Sequence, residues 1–200
     1  MTKSKIICLT FDIHYHAKPP LAQHIRWDYG DQTGRVVDVL SLIRLMTNNK
    51  YNSMVDDDIQ KLMLSFLGAE GLSWWGKPPY MTSNPSDSPG VVAELCWSQA
   101  STLNALITLF MTTGNCLYKE KAKQLVDGIA KVSISEDRMR FYPVEAKKIG
   151  RSDDILYPPE GWKKIKISRS GAFGAYTGVI IMPLIRFYKE TGYELVACNL

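Results

Sequence analysis

Apolar residues recur at spacings of three and four along three stretches of the chain. Within residues 94–132, Cys96, Ala100, Leu103, Ile107 and Phe110 fall on one face of a helix. Thr112-Thr113-Gly114-Asn115 follows; Gly and Asn adopt the left-handed backbone that ends helices. Leu117, Ala122, Leu125, Ile129 and Val132 then resume the period, with Lys119, Glu120, Lys123 and Gln124 on the wet side. Two helices about a short turn make an αα-hairpin. Glu94 opens this hairpin in the sequence reading, which gives it either a favourable interaction with the helix dipole or a catalytic role.

The same phrase occurs twice more. Val36, Leu40, Ile43 and Met46 lead to Thr47-Asn48-Asn49, and Val55, Ile59, Leu62, Met63 and Phe66 follow. Val179, Met182, Leu184, Ile185, Phe187 and Tyr188 lead to Thr191-Gly192-Tyr193, after which Leu195, Val196 and Cys198 begin another helix. The turns start at Thr47, Thr113 and Thr191, which are 66 and 78 residues apart by subtraction. A lone hairpin cannot bury its apolar face, whereas stacked hairpins share a continuous core. The predicted fold is therefore all-α: hairpins at 35–67, 94–132 and 174–200 after a leading segment, 1–34, in a single domain 1–200. Asp31 or Thr33 is the predicted cap of the first helix, which starts near Gly34-Arg35. Pro183 either kinks the last helix or marks a start near Met182.

Connections inside the hairpins are short, and those between them are long. Residues 68–93 hold Trp74-Trp75, Pro78-Pro79 and Tyr80; residues 133–170 hold two short predicted strands, Arg140-Phe141-Tyr142-Pro143-Val144 and Lys164-Ile165-Lys166-Ile167. Loops of that length in a compact protein are functional or disordered, and these are rich in Trp and Tyr, which disordered segments avoid. In stacked hairpins equivalent connections emerge on one face, so the connectors are expected to meet at the amino ends of the first helices.

Composition narrows the chemistry. An apolar fraction of 46 % is that of a globular protein. Net charge of +4 gives no argument for nucleic acid, and the cluster Lys163, Lys164, Lys166 and Arg169 reads as a solvated strand edge. No apolar run approaches the roughly 20 residues that cross a bilayer, and Ile6-Ile7-Cys8-Leu9-Thr10-Phe11 is too short for a signal-peptide core. Neither a nucleic-acid nor a membrane partner is expected. Cys8, Cys96, Cys116 and Cys198 show no zinc spacing. Three of them, Cys96, Cys116 and Cys198, are expected to be buried free thiols. No metal and no cofactor is expected.

The converging loops would gather aromatic rings and carboxylates. Sugar C–H faces stack on rings, hydroxyls need directed acceptors, and glycosidic cleavage typically uses two carboxylates about 5–10 Å apart. Asp28, Asp31 and Glu94 are the candidate carboxylates. Trp27, Tyr29, Arg35, Trp74, Trp75, Trp97, Tyr157 and Trp162 are the candidate substrate contacts. Each has a plainer alternative. Trp27 and Trp97 can wedge between hairpins; Asp28 and Asp31 can serve an Asx turn or cap; Arg35 can pair with one of them. Two adjacent tryptophans cannot both easily face one core, which favours a stacking role for one of Trp74-Trp75.

Three segments carry a family resemblance. They are Trp-Asp-Tyr-Gly-Asp-Gln-Thr-Gly-Arg at 27–35, Ala-Glu-Leu-Cys-Trp at 93–97, and Gly-Ala-Tyr-Thr-Gly followed by Leu-Ile-Arg-Phe-Tyr-Lys-Glu-Thr-Gly-Tyr within 174–193. Together they resemble the six-hairpin (α/α)6-toroid carbohydrate-active enzymes. The resemblance implies a partial toroid, about half a ring, and a glycoside hydrolase acting on a plant- or microbe-derived oligo- or polysaccharide. A sugar epimerase or polysaccharide lyase on the same scaffold, or a non-catalytic repeat module binding glycan or protein, are the alternatives. Glu94-Leu95-Cys96 also resembles the start of the zinc motif of β-L-arabinofuranosidases, but the adjacent cysteine pair expected further along is absent. A partial ring is expected to have its open hairpin faces covered by the missing half or by a second copy.

Overall fold

The computed structural model describes residues 11–14, 18–19, 21–24, 29–69, 71–73, 92–94, 97–136, 139–141, 145–148, 155–156 and 174–194. These residues are mostly helical, as the sequence predicts. The helices are α1 (Tyr29–Thr47), α2 (Ser53–Ser65), α3 (Trp97–Thr113), α4 (Cys116–Val132) and α5 (Gly174–Thr191). Short antiparallel strands lie before and between them. β1 (Phe11–His14) pairs with β2 (Leu21–His24), and β4 (Ile134–Glu136) with β5 (Met139–Phe141). β3 (Val92–Glu94) pairs with β6 (Glu145–Lys148), which also pairs with β7 (Ile155–Leu156).

α3 is the centre. It packs against α1, α4 and α5, and every residue from Ser98 to Leu109 except Asn104 is buried. Small and apolar residues all round suit a helix surrounded by others. Leu103, Leu106, Leu125, Ile129, Ile180, Leu184 and Phe187 are among the core residues, each at most 2 % exposed. At roughly 1.5–3 kcal/mol for each fully buried large side chain, this cluster is the main source of stability.

Gly34 sets the closest approach of α1 to α3. A Cβ there would lie 2.6 Å from the Ser101 carbonyl carbon and 2.7 Å from the Thr102 nitrogen. Further along both helices, Thr108 Oγ1 donates to Asp38 Oδ1 at 2.5 Å. Contacts thus advance together along both chains, so α1 and α3 run parallel. Arg186 extends the tie to α5, donating to Asn104 Oδ1 at 3.2 Å and to Thr108 Oγ1 at 2.8 Å. α1, α3 and α5 therefore form one layer. α4 packs behind α3, and its Tyr118 hydroxyl meets Gln60 of α2 at 3.0 Å.

The three predicted turns share one set of hydrogen bonds. Each threonine hydroxyl donates to the carbonyl four residues back: Thr47 to Ile43 at 2.7 Å, Thr113 to Leu109 at 2.5 Å, Thr191 to Phe187 at 2.6 Å. Each also accepts the N–H two residues on, from Asn49, Asn115 and Tyr193. The intervening residue, Asn48, Gly114 or Gly192, is left-handed at φ 50°, 69° and 68°, and its N–H bonds the carbonyl four residues back at 2.8 Å. This closes each helix by the left-handed cap that Gly and Asn favour. In the first hairpin Arg44 also grips Asp56 with two bonds, 2.7 and 3.0 Å.

Several expectations are corrected. Glu94 does not open a helix: it lies in β3, and α3 starts at Trp97, because Val92–Glu94 finds a distant partner strand that no local pattern reveals. α1 starts at Tyr29 rather than at Gly34-Arg35. Asp31 and Thr33 are therefore inside the helix and not its caps, and Gly34, expected near the helix start, lies in its interior at the close approach to α3. α5 runs through Pro183 and does not start at Met182. Cys116 is an exposed free thiol, not a buried one, because it is the first residue of α4. On α1 the buried face is Gly34 and Val37, whereas Ile43 and Met46 of the predicted core face are exposed. The second predicted strand, 164–167, and the helix expected from Leu195 lie outside the described residues, as do Cys8, Cys96 and Cys198.

Candidate functional site: the amino rim of the first-helix layer

Parallel α1 and α3 place their amino ends on the same rim. There the guanidinium of Arg35 sits over the Trp97 ring, 5.2 Å from its centroid. Arg35 is exposed and Trp97 half-buried. The cation covers an aromatic face in the geometry that the ring quadrupole favours. Of the roles open to Arg35 and Trp97, the structure shows this mutual one.

Two residues further along α3, Gln99 binds the first long connector. Its side-chain carbonyl accepts the Ser73 N–H at 2.8 Å, and its amide donates to the Ser73 carbonyl at 2.8 Å. Gln99 is 0 % and Ser73 2 % exposed, so neither backbone group has water as a substitute. The connector is also held by Gly71, at φ 90°, whose Cα lies against the Gln124 carbonyl of α4 so closely that no Cβ fits. The chain thus leaves Ser73 from a fixed point beside the start of α3, and Trp74-Trp75 comes next in sequence.

The first and second long connectors meet in the β3–β6 pair. Its register sets Glu94 opposite Glu145, with directly opposed Cα atoms about 4.5–5.5 Å apart in antiparallel strands. Two like-charged residues at opposed positions disfavour a sheet. Glu94 is three residues before Trp97, so the pair adjoins the same rim.

Of the candidates, Arg35 and Trp97 are brought together, and Glu94 is placed in β3. Tyr29 and Asp31 are in the first turn of α1. Trp27, Asp28, Trp74, Trp75, Tyr157 and Trp162 lie outside the described residues. Sequence reasoning missed Gln99 and Ser73, since a glutamine in a first helical turn carries no mark of a long-range partner. It also missed the Asp38–Thr108–Arg186 tie. Among the described residues no group of three His, Cys, Asp or Glu could hold a metal ion, and no helix is long and apolar enough to cross a membrane. No family model, no curated protein and no solved structure matches the chain.

Proposed function

We propose that the layer is part of an α/α toroid and that its amino rim binds a saccharide for glycosidic cleavage, as in a glycoside hydrolase. The observation that carries this reading is the β3–β6 pair. It joins two long connectors beside the start of α3 and sets Glu94 opposite Glu145 in the strand register, and glycosidic cleavage typically uses a pair of carboxylates. In this reading one carboxylate stays protonated and acts on the leaving oxygen, while the other acts as nucleophile or base. Asp31, in the first turn of α1, and Asp28, which precedes that helix in the sequence, are the further candidate acids. Trp74 and Trp75 are the stacking rings, launched from the Ser73 anchor. The substrate class is a plant- or microbe-derived oligo- or polysaccharide.

The test uses the full chain against a panel of neutral and acidic oligosaccharides, following binding by tryptophan fluorescence and turnover by release of reducing ends. Glu94→Gln and Glu145→Gln are expected to keep binding and lower turnover by 100-fold or more, on the order of the loss when acid–base help is removed. Absence of binding across the panel, or turnover unchanged in both variants, argues against the reading. Binding without turnover in the parent chain assigns a glycan-binding module instead.

A further inference from the structure

The layer repeats by a fixed register, and among the described residues α1 and α5 are its end helices. Counted back from the turn threonines Thr47, Thr113 and Thr191, the fifth residue of each first helix is Leu42, Thr108 and Arg186, and the ninth is Asp38, Asn104 and Met182. The fifth residue of α3 bonds the ninth of α1, Thr108 to Asp38. The fifth residue of α5 bonds the ninth of α3, Arg186 to Asn104. One step of the layer thus repeats a fifth-to-ninth contact, with Arg186 also reaching the fifth residue of α3, Thr108, at 2.8 Å. It leaves the fifth residue of α1 and the ninth of α5 over, and both are apolar and exposed: Leu42 at 39 % and Met182 at 69 %.

The surroundings of each leftover residue fit the same step. Leu42 lies in the stripe Val39, Leu42, Ile43 and Met46, spaced as one helix face and exposed by 39–80 %. The equivalent face of α3 is Ala105, Thr108, Leu109 and Thr112, which the first three residues bury to at most 1 % exposure. On α5, the thirteenth residue back is Gly178, with nothing within 4 Å of a Cβ there, whereas its counterpart on α1 is Gly34, the point of closest approach to α3. One end presents the face that receives a helix, and the other presents the face that seats on one.

We propose that α5 of one copy of this chain seats on α1 of another, with Met182 of the first against Leu42 of the second. The contact continues the α1–α3–α5 layer by one further step, replacing the polar ties with an apolar one. It joins two different faces, so copies associate head to tail and close into a ring if the rotation per step allows. An exposed apolar stripe of this kind on a soluble surface marks an association site. The inference stands without the saccharide reading.

Sedimentation and light scattering of the full chain test it. The parent is expected to associate with rising concentration. Leu42→Arg and Met182→Asp, both at exposed positions, are each expected to weaken association by at least about tenfold. The double variant is expected to recover it, since Arg now faces Asp as Arg186 faces Asn104. A parent that stays a single chain up to about 100 μM, or a Met182→Asp variant that associates like the parent, overturns the proposal. Should a charged variant fail to fold by circular dichroism, cysteine pairing decides in a background with Cys8, Cys96, Cys116 and Cys198 replaced by serine. Leu42→Cys mixed with Met182→Cys is expected to cross-link under oxidation, and Leu42→Cys alone to stay as single chains. Self-linking of Leu42→Cys without cross-linking in the mixture overturns the proposal.

Discussion

Gln99 satisfies both backbone groups of Ser73 from inside α3, at 2.8 Å each way, where both residues are buried. A side-chain amide offers the donor and acceptor of a missing strand partner, so one glutamine fixes the point from which the tryptophan connector leaves. Gln99→Leu leaves two buried backbone groups without partners. Each such loss costs about 1–3 kcal/mol, so about 2–6 kcal/mol of stability is expected to go. Urea unfolding measures it. Gln99→Glu keeps an acceptor for the Ser73 N–H but loses the donor, and is expected to be destabilised as well.

The two helical glycines give a contrast. Gly34→Ala drives a methyl into the α3 backbone at 2.6 Å, and overpacking of this sort costs about 1–3 kcal/mol. Gly178→Ala meets nothing in the single chain and gains helix propensity, up to about 1 kcal/mol. Thermal unfolding in dilute solution is expected to move in opposite directions for the two.

The turn threonines are expected to be interchangeable in role. Thr113→Val keeps the shape but loses the bond to the Leu109 carbonyl and the acceptor for the Asn115 N–H. A loss of about 1 kcal/mol is expected, the size of a helix cap. Thr191→Val is expected to lose a similar amount, read from denaturant midpoints.

Tyr193 donates its hydroxyl to Asp127 at 2.6 Å, and that bond, with burial second, pushes its pKa up to about 12 from the ordinary value near 10. The folded pKa is raised, so the stabilising bond is fully present below about pH 10 and is lost as pH rises through 12. Spectrophotometric titration is expected to show a late-ionising component that is lost in Tyr193→Phe, apart from Tyr118, which burial also shifts upward. A parent whose tyrosines all ionise near pH 10 contradicts this.

The parts of the fold legible in the sequence are those made by neighbours in the chain. Thr47, Thr113 and Thr191 marked the turns because their bonds reach only four residues back and two forward. Ala100, Leu103, Ile107, Leu125 and Ile129 were legible as core because helix period maps directly onto face. α1 misled the reading because its strongest apolar stripe, ending at Ile43 and Met46, is exposed, and among the described residues α3 packs on another face. The buried side of α1 is built on Gly34 and Val37, a small surface that hydrophobicity does not flag. Of the candidate site, Arg35 and Trp97 were singled out separately, and nothing in their spacing said that one covers the other.

By itself the sequence determined the helical class, the α1–α2 and α3–α4 hairpins and the three turns, because periodicity, threonine back-bonding and left-handed Asn or Gly act within a few residues. Only the tertiary structure decided that Glu94 lies in a strand opposite Glu145, that Gln99 holds Ser73, and which face of α1 is buried. Each of those depends on a partner far along the chain, and a backbone group or helix face carries no label for its partner until the chain has closed upon it.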